Sequence, residues 1–277
     1  MDPEPNSVLS TSTPEGITTI TINRPHRRNA VNPGTGQKLY DAIIAFENDP
    51  TQKVGILTGA EGAFCAGADL HEVAQANGEQ LGSGNLDHMQ PVRDRNRGPM
   101  GPSRLQVKKP LICAVEGHAV AGGLELSLLG DMRVVAEDAV FGVFCRRWGV
   151  PLIDGGTVRL PAVIGLGRAL DMILTGRPVG AQEALTMGLA NRVVPKGKAL
   201  EEATTLARQL LAFPQLCMNL DRNSCYYSTY EATSFQDALR EEYDKGCEAV
   251  KTESISGAGR FSSGAGRHGS FNNTGKL

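Results

Sequence analysis

Two glycine-rich segments hold the residues best suited to chemistry: Gly62 to Leu70, reading GAFCAGADL, and Glu116 to Leu126, reading EGHAVAGGLEL. Gly67 and Ala68 in the first, with Gly122 and Gly123 in the second, have side chains small enough for an acyl group to approach the backbone. An acyl oxygen lying between main-chain N–H groups from both segments would be polarised. Negative charge developing on it would be stabilised by roughly 3 to 4 kcal/mol per donor. Either segment alone is consistent with a tight turn or close packing, whereas the pair reads as two halves of an oxyanion hole. Glu125 adds a proton-transfer group, three residues after Gly122 and on the same side of a helix starting there. In the apolar run AVAGGLELSLL this Glu is costly to bury without a function or an ion-pair partner.

Strands and helices must position these segments. Ile17 to Ile22 alternates branched apolar residues with Thr and stops at Pro25, which predicts a strand. Gly36 to Asn48 carries Leu39, Ile43, Ile44 and Phe46 at helical spacing. Val54 to Thr58 is a second strand leading into the first glycine segment, Leu111 to Val115 a third leading into the second, and Arg133 to Ala136 a fourth. The repeated strand, loop, helix order predicts an α/β layer structure. Ala76 to Pro102, which includes RDRNRGPMGP, is long for a loop in a compact domain and is readable either as a substrate lid or as a disordered surface insertion. Helical patterns follow at Val158 to Leu174, with Pro161 near the start, then Ala181 to Met187, Ala199 to Ala212 and Ser234 to Lys251. The tail from Ser254 onward is poor in core-forming residues and is expected to be mobile at its end.

Composition narrows the function class. With 277 residues, 40% hydrophobic and 21% charged, the chain can bury a large core, and its net charge of −2 points to neither nucleic acid nor a membrane surface as partner. Six cysteines, Cys65, Cys113, Cys145, Cys217, Cys225 and Cys247, form no CxxC pair and no zinc-type set with His. They are expected to be free thiols, with no metal bound. The opening MDPEPNSVLSTSTPEG has neither a basic stretch nor an apolar run, and the expectation is a cytoplasmic protein. The ending Gly275, Lys276, Leu277 differs by one residue type from the peroxisomal SKL signal.

NRPHRRNAV at Asn23 to Val31, CAGADL at Cys65 to Leu70, VAGGLEL at Val120 to Leu126 and GGTVRLPAVIG at Gly155 to Gly165 occur in an order and spacing that resemble the crotonase, or enoyl-CoA hydratase/isomerase, superfamily. The resemblance runs from the strand ending near Asn23 to the helix around Gly188, Leu189 and Ala190. It implies a spiral of ββα units over residues 1–195, followed by a helical region at 196–277 that builds trimers or dimers of trimers. The implied substrate is an acyl-CoA thioester, whose CoA makes a separate cofactor unnecessary.

The resemblance also assigns residues. Ala68 and Gly122 are implied as the oxyanion donors, with a helix dipole adding to the effect at Gly122. Asp69 and Leu70 lie along the coenzyme, and Asp69 is equally placed to cap the helix that follows. Arg27, Arg28, Ala30 and Ala66 are implied in coenzyme binding, the arginines being suited to phosphate and equally to a solvated surface. His71 follows GADL where many relatives have Lys, and His118 precedes Gly122. Phe261 falls where relatives place an aromatic residue against the coenzyme, often that of a neighbouring subunit. Trp148 is placed to line the acyl pocket or to pack in the core.

Glu125 matches the first of two glutamates in the family's hydratases. Cys145 stands at the second, in FGVFCRRWGVPLIDGGTVRL, and a thiol with a reference pKa of about 8.5 is a poor substitute for a carboxylate. It is readable as a nucleophile helped by Arg146 or Arg147, or as a buried inert Cys. Asp154, just before Gly155, offers a replacement carboxylate or an N-cap for the next helix. The activity implied first is hydration of a 2-enoyl-CoA to a 3-hydroxyacyl-CoA. A double-bond isomerase using Glu125 and Asp154, thioester hydrolysis and a non-catalytic acyl-CoA-binding protein are the other readings.

Overall fold

The computed structural model describes residues 4–75 and 90–264, which form nine strands in two sheets. The larger sheet has the order β1 (Val8–Ser12), β2 (Ile17–Ile22), β3 (Val54–Gly59), β4 (Leu111–Val115), β6 (Met132–Ala136) and β9 (Arg192–Val194). Only β1 and β2 pair antiparallel; the rest are parallel. β5 (His118–Val120), β7 (Val140–Gly142) and β8 (Val179–Gly180) form the smaller sheet. Along the chain β4 enters the large sheet and β5 the small one, and β6 and β7 repeat that step, which is the ββα spiral. All five residues of β4 and five of the six in β3 are buried, as parallel strands covered on both faces require.

The helices of the first half are α1 (Pro33–Asn48), α2 (Leu70–Gln75) and α3 (Gly122–Ser127). In α1 the stripe Leu39, Ile43 and Phe46 is buried at helical spacing. Its start lies three residues before the predicted one, because Asn32 accepts the Thr35 N–H (2.8 Å) and Pro33 suits a first helical turn. The predicted single helix Val158 to Leu174 is two: α4 (Gly156–Ile164) and α5 (Leu166–Thr175). Gly165 separates them with φ +82°, a left-handed conformation that breaks a helix. α6 (Ala181–Met187) and α7 (Ala199–Leu211) follow.

The chain divides inside α7 into two compact units, Met1–Thr204 and Thr205–Leu277. The second contains α8 (Gln215–Tyr230), which was not expected from sequence, and α9 (Phe235–Ala249), capped by Ser234, which accepts the Asp237 N–H (3.1 Å). Glu253 accepts the Leu216 and Cys217 N–H groups (3.1 and 2.8 Å) at the start of α8. A π turn, Val250–Ser254, leads into α10 (Ile255–Ser262), so the tail beyond Ser254 begins as helix. Its expected mobile end, together with residues 76–89 of the long loop, lies outside the described residues. Among the described residues no helix is long and apolar enough to cross a membrane.

A buried arginine ties the first glycine-rich segment to the sheet. Arg24, 3% exposed at the end of β2, donates to the Ala30 carbonyl, to Asp69 (3.0 Å) and to Glu4 (2.7 Å). Removing one partner of a buried ion pair leaves an uncompensated charge, so Arg24→Met is expected to lower stability by about 3–5 kcal/mol. Urea denaturation measures it, and an unchanged midpoint would show that Asp69 finds water instead.

Candidate active site

The two glycine segments meet. Gly67 has φ +96°, and a Cβ built there would lie 3.0 Å from the Ala121 Cβ and 3.1 Å from the Gly122 nitrogen. Around this contact the backbone is well paired. Val31 N–H donates to the Gly67 carbonyl (2.8 Å), Asp69 N–H to Val31 (2.9 Å), Ala66 N–H to Arg28 (3.1 Å), Cys65 N–H to His118 (2.8 Å) and Ala121 N–H to Gly142 (2.8 Å). The N–H groups of Ala68 and Gly122 donate to none of the described residues. Ala121 is itself held at φ 53°, a costly conformation for a residue with a Cβ, immediately before the Gly122 N–H. α3 has only six residues, so any dipole effect at Gly122 is that of a short helix.

Glu125 and Asp154 come together beside this contact, 2% and 3% exposed. Glu125 Oε1 accepts the N–H groups of Asp154 (2.9 Å) and Gly156 (2.8 Å). A Cβ at Gly156 would stand 2.9 Å from that oxygen, so the glycine makes room for the carboxyl. Asp154 Oδ1 accepts the Met100 N–H (2.9 Å) and the Ser103 hydroxyl. Glu125 Oε2 and Asp154 Oδ2 have no hydrogen-bond partner among the described residues, which leaves one oxygen of each acid able to exchange a proton with a bound molecule. Asp154 does not cap α4: the cap position is Gly155, without a side-chain bond.

Burial chiefly, and the Asp154 charge secondly, push the Glu125 pKa up to about 7, against the pull of the Gly156 and Asp154 N–H groups and of Arg159. Burial also raises that of Asp154, opposed by Ser103, Met100, Arg104 and Arg159. Cys145, 7% exposed, is pushed up by burial and then by the charge of Glu125, so it is held as a neutral thiol near that acid. This environment disfavours the nucleophile reading.

The remaining expected site residues are dispersed. Ala30 is buried and Ala66 partly so, in the paired backbone beside the contact of the two glycine segments. Asp69 is buried against Arg24 and also accepts the His71 N–H (3.2 Å), so it caps α2 as expected, while Leu70 stands exposed at that helix's start. Arg27, Arg28, His71 and His118 are exposed. Trp148 is 71% exposed, which rules out the core role: it closes the short 3-10 turn Phe144–Trp148, whose buried residue is Cys145. Phe261 lies on α10 in the second unit, 61% exposed. Sequence reasoning missed Arg24, although NRP was noted, and it missed Met100 and Ser103, which bond Asp154 directly, and Arg159, which holds their segment.

Residues 12–242 match the enoyl-CoA hydratase/isomerase family. The chain belongs to this family. It is 39% identical over 201 residues to an enoyl-CoA hydratase of Mycobacterium tuberculosis, covering 70% of each chain. It is 36% identical over 200 residues to a carnitinyl-CoA dehydratase of Escherichia coli, covering 70% of this chain and 71% of that one. A solved enoyl-CoA hydratase from Mycobacterium tuberculosis superposes with a TM-score of 0.81 at 33% identity, over 93% of this chain and 96% of that one. Membership in the enoyl-CoA hydratase/isomerase family agrees with the ββα spiral and with the resemblance carried by the four motifs.

The raised pKa of Glu125 has a stability consequence. The native carboxyl binds its proton more tightly than an ordinary one at 4.5, so the native state holds more protons between that value and about 7. Stability from this group is therefore lost as pH rises through the window. Glu125→Gln is expected to melt at a higher temperature than the parent at pH 8 and at the same temperature at pH 4, the full difference being on the order of 3 kcal/mol. Identical melting curves at both pH values would mean that Glu125 titrates as it does in the unfolded chain.

Proposed function

We propose that this protein hydrates a 2-enoyl-CoA to a 3-hydroxyacyl-CoA. The observation that carries the reading is the pair of unengaged N–H groups, Ala68 and Gly122, beside two buried carboxyls that each keep one oxygen unbonded, in a chain of the hydratase/isomerase family. The thioester oxygen sits between the two N–H groups, which stabilise the enolate-like charge without reorganising. Glu125 and Asp154 are the acid/base pair: one takes a proton from water as its oxygen bonds to C3, and the other delivers a proton to C2. Arg27 and Arg28, exposed beside Ala30 and Ala66, meet the coenzyme phosphates. CoA arrives with the substrate, and no further cofactor is used. The reading includes a homotrimer or dimer of trimers, supported by the large apolar side chains that the second unit leaves exposed, among them Phe235, Tyr243 and Ile255.

One observation favours a second reading. Cys145, a neutral buried thiol, stands where the family resemblance places the second hydratase carboxylate. A double-bond isomerase needs only a proton moved between carbons, which Glu125 and Asp154 suffice to do.

The test is incubation with trans-2-enoyl-CoA and trans-3-enoyl-CoA of several lengths, with products identified by mass and chromatography. The expected product gains one water. An unchanged mass with a shifted double bond would replace hydration by isomerisation, and binding without product would leave a non-catalytic family member. Glu125→Gln is expected to lower kcat by roughly 10²- to 10⁴-fold with CoA affinity kept; unchanged kinetics would remove Glu125 from the mechanism.

A further inference from the structure

Asp154 is held by a segment that none of the four motifs contains. Ser103, fully buried in the turn Pro102–Arg104, directs its hydroxyl at Oδ1 of Asp154, and the Met100 N–H donates to the same oxygen (2.9 Å). The segment is fixed from two sides. Arg159 of α4 donates to the Ser103 and Leu105 carbonyls (2.7 and 2.9 Å), and the Met100 side chain packs against Gly122, where a Cβ would come within 2.6 Å of its sulfur. The hydroxyl therefore has a set direction.

We infer that Ser103 is a positioning residue that holds Asp154 as the carboxylate, so that Asp154 is the base and Glu125 the acid of the pair. This rests on the hydratase reading. A carboxylate accepts a hydroxyl proton more strongly than the neutral acid does, so two donors on Oδ1 favour the anion and leave Oδ2 to receive a proton. The charged groups facing Asp154 are Arg104 of the same turn, Arg159 of α4 and Glu125 of α3; Cys145 lies beside Glu125 as a neutral thiol. Arg104 and Arg159 favour the Asp154 anion, Arg159 acting on Glu125 as well, and a proton on Glu125 removes that acid's opposing charge. Glu125 takes two N–H donors on Oε1, so its proton rests on Oε2. In the hydration step the water oxygen bonds to C3, a water proton goes to Asp154 Oδ2, and the Glu125 Oε2 proton goes to C2. Moving the proton from Asp154 back to Glu125 resets the site.

The experiment compares Ser103→Ala with the parent by two readouts. The first is the pH profile of kcat/KM. Loss of a hydrogen bond to a charged group is expected to move the acidic limb up by about one to two pH units, with KM little changed. The second is independent of turnover: carbon-13 NMR titration of the full chain labelled at Asp carboxyls, with the Asp154 resonance identified by its loss in Asp154→Asn. That resonance is expected to titrate at higher pH in Ser103→Ala. Ser103→Cys, a weaker donor of similar size, is expected to give a smaller shift and serves as the variant should Ser103→Ala not fold. An unmoved Asp154 titration overturns the inference, as does an unmoved acidic limb accompanied only by a uniform loss of rate. Should the parent convert no enoyl-CoA, the hydratase reading falls, and the NMR titration alone decides whether Ser103 governs Asp154.

Discussion

Asp154 donates its own backbone N–H to the carboxyl of Glu125, so the chain segment that carries one buried acid is also the hydrogen-bond partner of the other. Two carboxyls buried this closely cannot both ionise without a large desolvation and repulsion cost, and that cost is offset by donors fixed in direction together with the charges of Arg104 and Arg159. Four such donors are present: the N–H groups of Asp154, Gly156 and Met100 and the Ser103 hydroxyl. They come from two stretches of chain far apart in sequence, and the acids add a third in α3. The fold must therefore bring α3, the start of α4 and the segment at 98–105 to one place, and Arg159 and Met100 are the ties that do so.

The same economy of donors marks the other side of the site. Buried backbone groups are almost always paired, and the residues around Gly67 obey this through a chain of bonds linking Arg28, Val31, Ala66, Asp69, His118 and Gly142. Ala68 and Gly122 are exceptions among the described residues, each next to a residue with positive φ. The conformations of Gly67 and Ala121 that leave these N–H groups unengaged are held by their neighbours' bonds, and Arg24 anchors the first segment through Asp69 and Ala30. Cys145 fits the same electrostatic account. In an environment where an acid is already costly, a thiol that stays neutral adds no further charge.

Much of the architecture was legible because burial imposes a period. β2, β3, β4 and α1 each carry an apolar pattern over five residues or more, and each was placed to within a few residues. Several features were not legible, among them the short strands β5, β7, β8 and β9, and three cases show different reasons. β1 is an edge strand with four of its five residues exposed, so it shows no alternation. α8 buries none of its residues fully and lacks a strong apolar stripe. The break at Gly165 is hidden because the apolar spacing continues through it from α4 into α5. Of the two readings of Trp148, acyl pocket or core, the core one fails because the turn that ends with this residue leaves it exposed.

By itself the sequence determined the longer apolar strands and helices, the two small-residue segments and the identity of Glu125 as an acid in an apolar run, because these depend on local spacing and side-chain size. Only the tertiary structure decided what Asp154 does with its carboxyl: it turns away from the helix it precedes and toward Met100 and Ser103. Ser103 lies 51 residues from Asp154 in the chain, and no local pattern encodes a hydrogen bond across that separation. Hydrogen-bond direction and shared burial, which set the protonation of a pair of acids, are properties of folded neighbours.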